Sequence, residues 1–103
     1  MEVKGEGLKE GMYVEAQLEA INRADRLNAF LSSTPDSALS QAKLSDKRLK
    51  QGDAGLLEGI PLGAKDLFCT NGVPTTAASR MLESFVPHYE STVTSNLWRE
   101  GAV

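Results

Sequence analysis

Gly59-Ile60-Pro61-Leu62-Gly63-Ala64-Lys65-Asp66-Leu67-Phe68 is the stretch on which the fold turns. It is the least polar run in the sequence, opened by a glycine and followed by the turn residues Cys69-Thr70-Asn71-Gly72. A short apolar run between turn signals predicts a buried β-strand of about 5–7 residues. Pro61 belongs near the start of that strand, where a missing N–H matters least. Val73-Pro74-Thr75-Thr76 continues as an irregular loop, and Ala77–Phe85 reads as a short helix stopped by Pro87. Ser91 is placed to cap a last helix through Val93, Leu97 and Trp98, ending near Gly101. Ala102-Val103 then reads as the opening of a further strand. Strand, helix and the first residues of a strand make a βα unit without its completion, so the expected fold class is α/β.

Upstream of this run the pattern is helical. Val14, Leu18, Ile21 and Ala24 recur at helical spacing and predict a helix from about Tyr13. Glu15 and Glu19 lie early and Arg23 and Arg26 late, as the helix dipole favours, and Glu19 and Arg23 are spaced to pair. Leu27-Asn28-Ala29-Phe30-Leu31 reads as a short extended piece. A second helix is announced by Thr34 as cap, Pro35 in the first helical position and Asp36 in the first turn. Lys47, Arg48 and Lys50 fall in its last turn, and Gly52 is placed to end it. Its apolar stripe (Ala38, Leu39, Ala42, Leu49) is narrow and interrupted by Asp46, which predicts a peripheral helix. Residues 1–12, with Gly5, Gly7 and Gly11 among charges, are expected to be a flexible N-terminus, and 13–103 to form the structured portion.

Bulk properties exclude several classes. The 103 residues suffice for one domain at most, which would bury about 65% of its unfolded surface. Hydrophobic residues at 41% and charged residues at 24% argue against disorder and collagen-like repeats. No apolar run approaches the roughly 18 residues of a membrane span. The N-terminus has no apolar core of a signal peptide and is not arginine-rich, so no targeting segment is expected. A single cysteine, Cys69, forms no internal disulfide and points to a reducing compartment, the cytoplasm. One histidine and one cysteine are too few for an internal zinc site. A scattered formal net charge of −3 predicts no basic face for nucleic acid.

Lys65 is the leading candidate for chemistry. It follows an uncharged stretch with small neighbours that allow close backbone approach. Asp66 is adjacent, but successive strand side chains point to opposite faces, so it is not the natural partner of Lys65. A lysine in an apolar strand without a carboxylate has its ammonium form disfavoured, and a neutral amine can take a proton from a hydroxyl. Composition alone favours a plainer role, a lysine that snorkels to solvent from a strand end or pairs with a distant acid. Other candidates are weaker. Gly59 to Lys65 lacks the Gly-Lys-Ser/Thr ending of a P-loop, and Pro61 removes an N–H that a phosphate cradle would use. Gly5-x-Gly7 follows no strand. Nothing in the sequence fixes the separation of Cys69 and His88. Ser79 and Ser84 fit solvated or capping hydroxyls, and Trp98 fits packing.

Five blocks, taken together, resemble the amidase-signature family: Leu27-Asn-Ala-Phe30; Gly59 through Thr70; Thr75-Thr76-Ala77-Ala78-Ser79; Tyr89-Glu-Ser-Thr-Val93; and Gly101-Ala-Val103. Within the family they are most similar to the A (glutaminase) subunits of aspartyl/glutamyl-tRNA amidotransferases. The blocks cover about residues 14–103. The resemblance implies an α/β/α fold around a large mixed sheet, of which this chain would supply the N-terminal helices and a few strands. It implies a Ser–cis-Ser–Lys triad whose lysine falls on Lys65, with both serines C-terminal to Val103.

Several expectations follow from the resemblance. The parent protein would hydrolyse glutamine and supply ammonia to convert misacylated Glu-tRNA(Gln) or Asp-tRNA(Asn). The 103 residues carry only the triad lysine, so alone they are expected to be inactive. No cofactor is assigned to this chain; ATP and magnesium would serve the partner subunit. The expected partners are the other amidotransferase subunits and glutamine as ammonia donor, with tRNA contacted only indirectly and no membrane. Two alternatives are a general carboxamide hydrolase of the same family and a non-catalytic, self-associating module with an exposed sheet edge.

Overall fold

Two helices packed on each other form one side of the molecule. The computed structural model of the chain describes residues 10–103, with side chains from Met12 onward. α1 spans Glu10–Arg23, α2 Pro35–Gln51 and α3 Thr92–Arg99, with short 3₁₀ turns at Asp25–Leu27 and Arg80–Leu82. Residues 1–9 of the N-terminal stretch expected to be flexible lie outside the described residues, whereas Glu10–Met12 already belong to α1.

α1 buries the face that its spacing predicts. Val14 is 2% exposed and Leu18, Ile21 and Ala24 are half-buried. Glu19 and Arg23 pair at 3.8 Å in solvent, which contributes little. α2 also follows its signals. Pro35 opens it and Gly52 ends it at φ +74, a conformation glycine adopts without strain. The Gly52 N–H donates to the Leu49 carbonyl and the Asp53 N–H to the Arg48 carbonyl, the Schellman pairing. The Thr34 side chain makes no capping hydrogen bond.

α2 is not peripheral, contrary to the sequence expectation. Ala42 is fully buried and joins Val14 and Val103 in the apolar core, flanked by Leu18, Ala38 and Leu39. The narrow stripe is narrow because its central residues are small, and small residues let α1 approach closely. That core is modest. Leu27, Leu31, Leu56 and Met81 are each two-thirds or more exposed. The radius of gyration, 14.8 Å, exceeds the roughly 13 Å of a closed domain of this length.

The buried strand expected over 59–68 is not formed. Among the described residues no stretch is a strand, and residues 60–65 are exposed. The physical reason is the supply of partners, because a strand satisfies its backbone only against neighbours. Here the run pairs on one side alone. The Val103 N–H donates to the Ile60 carbonyl at 2.9 Å, and the Leu62 N–H to the Val103 carbonyl at 2.6 Å. This is the bonding of one parallel pair, Pro61 opposite Val103. Pro61 fits because its nitrogen faces away from that partner. The Gly59 N–H also donates to the Gly101 carbonyl at 2.9 Å. The link between the Gly59–Thr70 and Gly101–Val103 blocks is therefore parallel, as a βα unit requires.

Two further expectations are corrected. Leu27 lies in a 3₁₀ turn rather than an extended piece, closed by Asn28 at φ +50. Ala77–Phe85 contains only the 3₁₀ turn at Arg80–Leu82. Ala77 and Ala78 have φ +48 and +57, which a right-handed helix excludes. α3 matches its prediction: the Ser91 side chain accepts from the Thr94 N–H at 3.2 Å.

Candidate functional site

The site is a turn with a loop clamped across it. The Lys65 carbonyl accepts the N–H groups of Leu67 (2.8 Å) and Phe68 (3.1 Å), so the chain reverses immediately after the lysine. Asp66 then reaches across to the Thr75–Ser79 block. Its Oδ1 accepts the Thr76 N–H at 2.9 Å and its Oδ2 the Thr76 hydroxyl at 2.5 Å. Its carbonyl accepts the Ala77 N–H at 2.7 Å. The Thr76 hydroxyl and N–H hold the Asp66 carboxyl below its ordinary range. Thr75 is buried, donating its N–H to Phe85 and its hydroxyl to the Val73 carbonyl.

The turn borders an open groove of about 470 Å³, lined among others by Phe30, Gly63, Lys65, Asp66, Phe68 and Thr75. Gly63 brings the backbone against Phe30: a Cβ there would stand 3.4 Å from the ring. Residues far apart in sequence, Phe30, Lys65 and Thr75, thus meet on one groove.

Downstream, α3 is fastened to the same turn. The Ser91 N–H donates to the Cys69 carbonyl at 2.8 Å, and the buried Thr94 hydroxyl donates to it at 3.4 Å. Glu90 accepts from the Asn71 N–H and the Trp98 indole N–H, each at 3.0 Å. Burial opposes ionisation of Glu90, but hydrogen bonds from Thr94, Asn71 and Trp98 outweigh it and lower its pKa.

Lys65 itself is exposed, as in the plainer of its two readings, a lysine that reaches solvent, and it is not buried in an apolar strand. The cause is the absence of the strand, which leaves nothing to cover the side chain. Among the described residues its amine forms no ion pair, and the neighbouring Asp66 is bound to Thr76. Cys69 and His88 are not brought into a pair. The Cys69 thiol donates to the Tyr89 hydroxyl at 3.4 Å, and His88 is exposed. The hydrogen bond shared with Cys69 is the main cause that raises the pKa of Tyr89. Ser79 makes no side-chain cap, Ser84 is exposed, and Trp98 is half-buried on Glu90. Among the described residues no three His, Cys, Asp or Glu side chains gather in a way that could hold a metal ion, and no helix is long and apolar enough to cross a membrane.

The Asp66–Thr76 clamp is the feature that residue-by-residue reading misses. A carboxylate next to a candidate lysine, followed some ten residues later by Thr-Thr-Ala-Ala-Ser, is its only trace in the sequence.

Comparison with known proteins agrees with this layout. The Amidase family model matches residues 12–103. The A subunit of glutamyl-tRNA(Gln) amidotransferase from Beijerinckia indica subsp. indica is 61% identical over 88 residues, which are 85% of this chain and 18% of that protein. The Caulobacter vibrioides protein of the same name is 64% identical over 88 residues, with the same shares. That of Xanthobacter autotrophicus is 53% identical over 103 residues, or 95% of this chain and 21% of the relative. The matched region is the N-terminal part of these relatives, and the chain spans about a fifth of their length. A solved structure, described as a vestigial protein complex that reveals the evolutionary origins of an s-triazine catabolic enzyme, superposes with a TM-score of 0.87. That chain is 29% identical, and the match covers 93% of this chain and 22% of the other. With the family's pattern running over residues 12–103 and the backbone following a solved relative over 93% of its length, the chain belongs to the amidase family.

Proposed function

We propose that this chain is the N-terminal portion of the glutamine-hydrolysing A subunit of a tRNA-dependent amidotransferase, and that Lys65 is its triad lysine. The observation that carries the proposal is 53–64% identity to proteins of that name, against 29% to the solved relative linked to s-triazine catabolism. That difference favours the amidotransferase over a general carboxamide hydrolase. The exposed apolar residues and the half-paired 60–62 edge support an α/β/α mixed sheet completed by protein C-terminal to Val103.

In this mechanism the Lys65 amine accepts a proton passed by a bridging serine from the nucleophilic serine. The nucleophile's oxygen bonds to the side-chain carbonyl carbon of glutamine. The C–N bond then breaks, the leaving nitrogen takes the proton back, and ammonia departs. Water hydrolyses the acyl-enzyme ester to glutamate. Desolvation of Lys65, absent in this structure, comes from the part of the protein that carries the serines. The 103 residues alone hold one member of three and are inactive. Ammonia passes to a partner subunit in the cytoplasm, where ATP and magnesium act and tRNA is gripped.

The experiment is a chimera. In the Caulobacter vibrioides protein, the 88 matched residues are replaced by those of this chain, and glutaminase activity is measured with the partner subunits present. Activity in the chimera and its loss on Lys65→Ala support the proposal. An inactive but folded chimera contradicts it.

A further inference from the structure

We propose that Asp66 is the positioning residue for Lys65: it ties the lysine's turn to the Thr76–Ala77 backbone and so sets the direction in which the amine projects. This rests on the assignment of Lys65 proposed above. All three Asp66 acceptors, its carbonyl and both carboxylate oxygens, are engaged by two consecutive residues at 2.7, 2.9 and 2.5 Å. On the other side, the Lys65 carbonyl is held by Leu67 and Phe68. The two peptide units that follow the Lys65 Cα are therefore held by three backbone hydrogen bonds, and the Asp66 carboxylate adds two more, although the lysine is exposed.

The clamped loop is itself strained. Ala77 and Ala78 are consecutive non-glycine residues in the left-handed region, at φ +48 and +57. Such a conformation persists only where its surroundings over-determine it. Here the Ala77 N–H is held by Asp66 and the Ala78 N–H by the Thr76 hydroxyl at 3.3 Å. A carboxylate that served solubility alone would face water. This one spends its acceptors holding a strained segment beside the lysine.

Positioning has a kinetic signature, because displacing a catalytic group by about 1 Å can cost on the order of 100-fold in rate. In the chimera, Asp66→Ala should lower kcat by about 100-fold, leave KM for glutamine nearly unchanged, and move the acid limb of the kcat pH profile. Asp66→Asn keeps the clamp, since its amide oxygen accepts the Thr76 N–H and its amide nitrogen donates to the hydroxyl. It should restore most of the turnover. Thr76→Val removes one of the three bonds and should give a smaller loss of the same kind. Asp66→Ala with the parent kcat and pH profile, while Lys65→Ala is inactive, would overturn the proposal, as would a loss confined to thermal stability. If Asp66→Ala does not fold, Thr76→Val decides, and an unchanged kcat and pH profile overturns the proposal. Turnover retained by Lys65→Ala would remove the lysine assignment itself, and the Asp66 proposal with it.

Discussion

Arg48, in the last turn of α2, and Glu58, ten residues on, form a bidentate ion pair. Arg48 Nη2 lies 2.6 Å from Glu58 Oε1, and Nε lies 3.0 Å from each carboxylate oxygen. The Glu58 side chain is only 3% exposed and also accepts the Gly55 N–H at 3.0 Å. The pair fastens α2 to the segment that leads into Gly59–Phe68. It stands opposite Gly101, where a Cβ would fall 2.5 Å from the carboxylate. The ion pair thus ties the helical layer to the lysine-bearing run, and the Gly59 N–H, donated to the Gly101 carbonyl, ties that run to the turn after α3.

Glu58 should titrate far below the ordinary glutamate value of 4.5. The hydrogen bond from Arg48 outweighs burial and, with Ser45 and Gly55, brings its pKa down to about 2. Because the folded value is depressed, the stabilisation is fully present above the ordinary value of 4.5 and is lost as pH falls toward 2. The loss is on the order of 3 kcal/mol, in keeping with a buried carboxylate. Carbon-13 NMR titration of the chain's glutamate carboxyls, with urea midpoints at pH 6 and pH 3, measures both effects. A Glu58 midpoint at the ordinary value of 4.5 would contradict the account.

Two glycines with positive φ should respond differently to alanine. Gly52 at φ +74 has nothing within 4 Å of an added Cβ, so Gly52→Ala costs only backbone strain, about 1–2 kcal/mol. Gly101 at φ +91 adds a clash with a carboxylate that Arg48 prevents from moving. Gly101→Ala should therefore destabilise by clearly more than Gly52→Ala in urea unfolding. Equal costs would mean that Glu58 is free to shift.

The caps give a second contrast. Ser91 accepts from the Thr94 N–H, so Ser91→Ala should cost about 1 kcal/mol. Thr34 makes no side-chain capping bond, so Thr34→Ala should be near neutral. Thermal unfolding of the two variants side by side separates them.

Ala78→Gly relieves left-handed strain at φ +57 and should stabilise the chain by up to about 1 kcal/mol. A destabilised Ala78→Gly would show that the methyl group packs, and would remove the strain from the loop.

Legibility in the sequence followed how local each feature is. The ends of α2 and the start of α3 were readable because Pro35, Gly52 and Ser91 act on backbone within a few residues of themselves. The packing of α2 was not, because Ala42 reads as a weak hydrophobe until α1 is seen against it. Among the described residues, 59–68 carry strand composition but find parallel pairing only at Gly101 and Val103, so pattern without partners does not make a strand. The helix expected over Ala77–Phe85 lost to the hydrogen bonds that Thr76 and Ala77 donate to Asp66, a tertiary effect that no window of local sequence contains. Lys65 stood out by residue type and motif. Its exposure and the clamp beside it emerge only in the folded chain.

The central claim is that the amine at position 65 moves the proton in amide hydrolysis. It is tested most directly by ammonia release from glutamine in the Caulobacter vibrioides chimera, measured for the parent and for Lys65→Ala at equal folded concentration. The account predicts steady release from the parent, and a fall of at least about 1,000-fold in the variant with its melting temperature kept. Release from Lys65→Ala at the parent rate would contradict it.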